Sequence, residues 1–159
     1  MKNWKFQSNR LDEIYLHDNV ITEFVKEGND VILLFNDIED GVAYGFDVCK
    51  ENPLNNTGKH KLTGRAAIIL KDFSLLEGKE HLVGDVTNTL DEDHLFDGHL
   101  HDQIVSSFEW NDHSKTFTLY SFPDENPSKY YRIDFVFHCS EAFACWNEFV
   151  QDSWFEETE

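Results

Sequence analysis

Five of the eight histidines lie between positions 81 and 113: His81, His94, His99, His101 and His113. The densest stretch reads Asp91-Glu-Asp-His94-Leu-Phe-Asp97-Gly-His99-Leu-His101-Asp102. Imidazole nitrogens and carboxylates are ligands for Zn2+, Ni2+ and Mn2+. In an extended chain His99 and His101 share a face. His94, Asp97, His99, His101 and Asp102 therefore form a candidate metal set for Zn, Ni or Mn. A calcium loop is excluded: starting at Asp93, it would place Leu95 at a ligand position and Ile104 where a bidentate acid must stand. The His-Asp dipeptide also occurs twice, as His17-Asp18 and His101-Asp102. Two such pairs could build a pseudo-symmetric site, or each could close a turn ahead of a strand.

The same stretch belongs to a wider negative field. The chain carries 13 Lys and Arg against 31 Asp and Glu, a formal net charge of −18. Residues 72–113 hold eleven acids and one base, Lys79; residues 141–159 hold six acids and no base. Such segments repel nucleic-acid phosphates and anionic lipid and attract basic proteins. Asp85, Asp91, Glu92, Asp93, Asp97, Asp102, Glu156 and Glu157 are the expected partner-binding face. The alternative is plain solvation of the surface.

Catalytic motifs are lacking. No Gly-x-Ser-x-Gly elbow, phosphate loop or dinucleotide fingerprint occurs. Cys49, Cys139 and Cys145 have no two-residue spacing and read as small buried hydrophobes. His138 precedes Cys139, but adjacent strand residues point to opposite faces. We therefore expect a binding protein rather than an enzyme, with no cofactor unless the His/Asp segment holds a metal.

The elements that would position these residues are mostly strands. Val20–Lys26 and Val31–Asp37 flank the turn Glu27-Gly-Asn-Asp30. Val31–Phe35 and Ala66–Leu70 are apolar on both faces, as covered central strands are. Ile104–Asn111, Thr116–Phe122 and Tyr130–His138 alternate and form a meander. Regions 39–64 and 72–100 read as loops with short strands. The chain should end in a helix, with Ser140 as N-cap and an apolar stripe of Phe143, Trp146, Phe149, Val150 and Trp154. No apolar run is long enough to span a membrane, and none follows Lys2 and Lys5, so a cytoplasmic protein is expected.

The chain also repeats itself. Leu16-His-Asp-Asn-Val-Ile-Thr-Glu-Phe24 aligns with Leu100-His-Asp-Gln-Ile-Val-Ser-Ser-Phe108 at an offset of 84, and Leu11 and Leu95 extend the match. Each copy leads into a hairpin and then a strand opening with arginine, Arg65 or Arg132. The expected fold is thus a single mainly-β domain over 1–159. It would be an antiparallel sandwich or strongly bent sheet of two related halves (about 11–84 and 95–159), with the C-terminal helix packed on it.

The Leu-His-Asp-x-x-Ile lead-in to a strand, the low lysine content and the acidic β-rich body resemble small bacterial proteins of unknown function. Some of these are immunity proteins that neutralise a toxin. The resemblance covers 16–24 and 100–108 and implies a basic protein partner of the toxin kind. A homo-oligomer, built through the helix stripe or an open sheet edge, is the structural alternative.

Overall fold

Val31-Ile-Leu-Leu-Phe35 and Ala66-Ala-Ile-Ile-Leu70 have no polar face, so each must be covered on both sides and hydrogen-bonded along both edges. The computed structural model, which describes residues 3–98, 100, 102–124 and 130–156, shows how this is met. The strands are β1 (Phe6–Ser8), β2 (Ile14–Tyr15), β3 (Val20–Ile21), β4 (Glu23–Glu27), β5 (Asp30–Phe35) and β6 (Asp37–Glu39). Next come β7 (Val42–Tyr44), β8 (Asp47–Val48), β9 (Lys61–Thr63), β10 (Ala66–Lys71), β11 (Ser74–Leu82) and β12 (Val86–Thr89). After the short helix α1 (Glu92–Phe96) follow β13 (Gln103–Asn111), β14 (Thr116–Pro123), β15 (Tyr130–His138), β16 (Glu141–Trp146) and β17 (Phe149–Asp152). The fold is mainly β, with antiparallel sheets and, among the described residues, one short α-helix.

Two large sheets carry the core. One has the order β1-β16-β10-β5-β4, the other β12-β11-β15-β14-β13-β3. β3 and β4 are separated only by Thr22 yet lie in different sheets, so one bent strand joins the two. Where it crosses, Val20 pairs with Ile104 and Ile21 with Gln103. Lys71 stands opposite Glu141 in one sheet and His138 opposite Ser74 in the other. Thr22 Oγ1 donates to the Leu34 carbonyl, and Ser106 Oγ to the Tyr120 carbonyl, each at 3.1 Å. Asp18 and Asp102 both adopt positive φ, 67° and 52°, at the turns leading into β3 and β13.

The inward faces of both sheets share one cluster. Phe24 of β4 meets Phe135 of β15 edge-on at 5.9 Å, and Phe35, Phe46 and Trp146 meet edge-to-face in succession at 5.3 and 6.1 Å. A smaller sheet, β17-β9-β8-β2, and the separate hairpin β6-β7 complete the chain.

The expected C-terminal helix is absent. Residues 141–146 form β16, wedged between β1 and β10, and 149–152 form β17 on β9. Ser140 caps no helix; its N–H donates to the Lys71 carbonyl and its hydroxyl contacts Asp72. The physical reason is tertiary. An apolar β10 needs a second ladder, and Ala142, Ala144, Cys145 and Trp146 supply a strand buried on both faces. Apolar residues spaced three or four apart fit a helix only until the neighbouring edge is known. Region 72–100 is likewise more ordered than expected: Ser74–Leu82 is a nine-residue strand.

Gly45 joins β7 to β8 where the backbone of β9 passes close by. A Cβ there would overlap the Gly64 carbonyl and the Thr63 hydroxyl and stand 2.6 Å from Ala66 Cβ. Gly45→Ala should destabilise the protein at the upper end of the roughly 1–3 kcal/mol typical of overpacking, read by urea denaturation.

Candidate functional site

In the described part of the His/Asp-rich segment, residues 91–97 form a short capped helix. Asp91 is the N-cap of α1: its carboxylate accepts from the His94 N–H, and His94 Nδ1 lies 2.8 Å from Asp91 Oδ1. Glu92 pairs with Lys26 of β4 at 3.3 Å. Asp93 is exposed, Asp97 closes the helix, and Leu95 anchors it in the core. Of the candidate metal set, His99 and His101 lie outside the described residues. His94 is bound up in the cap. Metal-type donors that converge among the described residues lie elsewhere, at Cys49, Glu51 and His60.

The expected acidic face is also divided. Asp85 sits exposed in the β11–β12 turn with φ 60°. Glu156 accepts from the His60 N–H at 2.8 Å on the small sheet, and Glu157 lies outside the described residues. Asp102 belongs to a different assembly, described next.

Around the crossing of β3 and β13, carboxylates from four separate chain segments gather. Asp18 and Asp102 lead into the two crossing strands, and the Asp124 N–H donates to the Asp102 carbonyl at 3.0 Å. Asp37, Glu39 and Asp40 come from the β6-β7 hairpin, whose turn Asp40-Gly41 has positive φ at both positions, 52° and 79°. That is the primed geometry matching the twist of paired strands, and Asp-Gly is its favoured sequence. A cavity of about 350 Å3 opens here, lined by Asp18, Asn19, Asp37, Glu39 and Asp40.

Its electrostatics are strained. Burial pushes the Asp37 carboxyl above its ordinary value, and the charges of Glu39, Asp124 and Asp102 push it further. Asp37, Glu39, Asp40 and Asp124 make no ion pair with Lys or Arg among the described residues. Asp134 on β15 shows the opposite case. Burial raises its carboxyl too, but the two-pronged Arg132 guanidinium, at 2.8 Å per prong, and His81 at 2.9 Å outweigh that and hold it low. The hairpin adds apolar surface beside the carboxylates: Ile38 is 62% exposed and Val42 39%.

Thiol chemistry finds no support at two of the cysteines. Burial pushes Cys139 up to about 11 and Cys145 up to about 12, so both stay protonated and inert. Burial raises Cys49 as well, opposed by a hydrogen bond with Tyr15.

The basin's hairpin was open to sequence reading through Asp40-Gly41, set between Asp37-Ile-Glu39 and Val42-Ala-Tyr44. Its meeting with Asp102 and Asp124 was not, because they lie more than 60 residues away. The fold and site thus define an acidic β-protein with a carboxylate basin. Comparison with family models, curated proteins and solved structures finds no match for this chain.

Because Asp37 binds its proton more tightly folded than unfolded, its ionisation opposes folding. That cost is absent below the ordinary carboxylate value of 3.8 and complete once pH exceeds the raised folded value. Asp37→Asn should therefore raise stability at neutral pH by a few tenths to about 1 kcal/mol, and the gain should vanish in acid. Thermal unfolding of both proteins across pH reads this. Added salt should shrink the difference.

Proposed function

We propose that this chain is a non-catalytic binding protein whose carboxylate basin receives lysine or arginine side chains of a basic protein partner. The observation that carries this reading is the Asp37 carboxyl, raised by burial and by the like charges of Glu39, Asp124 and Asp102, in a basin where Asp37, Glu39, Asp40 and Asp124 have no Lys or Arg ion pair among the described residues. An incoming ammonium or guanidinium would relieve that repulsion, so binding energy comes from the charge already assembled. Ile38 and Val42 would give the contact an apolar centre and the carboxylates a polar rim, the usual anatomy of a protein interface. The negative field would also speed encounter. An immunity-like inhibitor of a basic toxin is the most specific form of this reading, and it rests on the resemblance at 16–24 and 100–108.

The architecture behind it is inferred to be two related β-units forming one bent, sandwich-like double layer. Corresponding strand orders, the Val20–Ile104 pairing and the matched Thr22 and Ser106 bonds support this. In that scheme each unit lends its last large-sheet strand to the other, β11 to β15 and β16 to β10. The basin then lies where the two units cross.

A homo-oligomer is the second reading, favoured by β12. All four of its residues are exposed on a sheet edge, Val86 at 51%, with Val83 beside it at 77%. A mass independent of concentration in light scattering would dispose of it.

The test of the main reading uses an amphipathic Lys/Arg peptide and calorimetry at low and near-physiological salt. Binding should weaken with salt and fall at least tenfold in Asp37→Asn/Glu39→Gln/Asp40→Asn. It should survive Asp91→Asn/Glu92→Gln/Asp93→Asn. Equal losses in both triple variants would show only a diffuse field and sink the basin.

A further inference from the structure

Cys49, Glu51 and His60 form a donor set at the far end of the β8–β9 hairpin. Strand register brings them together. Val48 pairs with Lys61, so Cys49 and His60 stand opposite each other one step beyond the ladder. Glu51 follows two residues later in the turn. One ligand atom from each residue, a sulfur, a carboxylate oxygen and an imidazole nitrogen, lies within 4.8 Å of the other two.

Those distances suit a metal after a small closure. With Zn–S near 2.3 Å and Zn–N or Zn–O near 2.0–2.2 Å, the edges of a tetrahedral site run roughly 3.3–3.7 Å. A closing movement of about 1 Å is needed, and it falls on residues free to make it: Glu51 is exposed and His60 half-buried. Cys49 is 4% exposed and provides the fixed corner.

The surrounding loop is built rather than slack. Buried Asn55 donates from Nδ2 to the carbonyls of Val48 at 3.1 Å, Cys49 at 3.2 Å and Lys59 at 2.9 Å. This one side chain closes the loop on both donor-bearing strand ends. The His60 ring packs against both Tyr15 and Phe155, with centroids at 5.8 and 5.3 Å. Its backbone is pinned as well, by Glu156 on the N–H and Ser153 on the carbonyl. Such support is what keeps ligands near productive geometry.

We propose that Cys49, Glu51 and His60 bind one divalent cation of the zinc type, with water completing the coordination. Sulfur, nitrogen and oxygen together select Zn2+ or Co2+ over Mg2+ and Ca2+. Binding exchanges a proton for the metal: the Cys49 S–H bond breaks, a metal–sulfur bond forms, and the proton leaves to buffer. Thiolate and carboxylate then balance the two positive charges. One existing bond must give way. His60 Nδ1 accepts from the Lys50 N–H at 3.0 Å. Ligation through Nδ1 displaces that N–H directly. Ligation through Nε2 moves the ring proton to Nδ1, and two N–H groups cannot face each other. The Lys50 amide therefore reports on the metal by either route.

The experiment titrates Co2+ into the reduced full chain. A near-ultraviolet thiolate-to-cobalt band and tetrahedral visible bands should appear and be erased by one equivalent of Zn2+. In amide NMR spectra Zn2+ should shift Lys50. Cys49→Ser should abolish the charge-transfer band, and Glu51→Gln and His60→Gln should each weaken Co2+ binding about tenfold or more. Asp37→Asn/Glu39→Gln/Asp40→Asn should leave all of this unchanged, which separates the metal site from the basin. Absence of the band in the native protein overturns the proposal, and so does its persistence in Cys49→Ser. Should Cys49→Ser fail to fold, undiminished binding in both Glu51→Gln and His60→Gln would overturn it equally.

Discussion

Backbone hydrogen bonding along β10 and β15 constrains everything else in this molecule. Both strands are largely buried, so their N–H and C=O groups cannot turn to water and need a ladder on each edge. β10 finds its ladders in β5 and β16, and β15 in β14 and β11. One of the two partners in each case is distant in sequence, β16 for β10 and β11 for β15. That requirement draws 141–146 into a strand, buries Trp146 beside Phe46, and leaves β1 to cover the outer edge. With a mean edge so distant in sequence, the core cannot form piecemeal.

The crossing of β3 and β13 follows from the same arrangement and decides the electrostatics. Turns that must adopt positive φ to lead into the crossing strands place Asp18 and Asp102 there. The β6-β7 hairpin, with its Asp-Gly turn, brings three further carboxylates to the same side. Several basic residues meanwhile pair elsewhere: Lys26 with Glu92, Lys59 and Lys61 with Asp152, Lys71 with Asp30, Lys115 with Asp112 and Arg132 with Asp134. With 13 bases against 31 acids, neutralisation is selective, and among the described residues it passes over Asp37, Glu39, Asp40 and Asp124. Ile38 and Val42 stand exposed on the same hairpin.

At the opposite end of the small sheet the logic is different. There the density of hydrogen bonds around Asn55 and His60 fixes a loop whose donors are chemically mixed. Charge repulsion shapes the basin, whereas a strand register shapes the Cys49, Glu51 and His60 set. The two can therefore be altered independently.

Alternating and doubly apolar stretches announced themselves locally, because a side chain's face in a strand depends only on its parity. Hence β5, β10 and β13 to β15 were legible. So was the excess of carboxylates. Residues 141–154 were not, because spacing of three and four satisfies a helix, while the edge of β10 that makes it a strand lies some 70 residues away. Nor could composition say which acids would meet: the cluster at 91–97 turned into a helix cap, and Asp37 found Asp102 and Asp124. Periodicity is a property of neighbours along the chain and survives without a fold. Ladder partners and charge neighbours are properties of distance in space, and only the closed sheets set those.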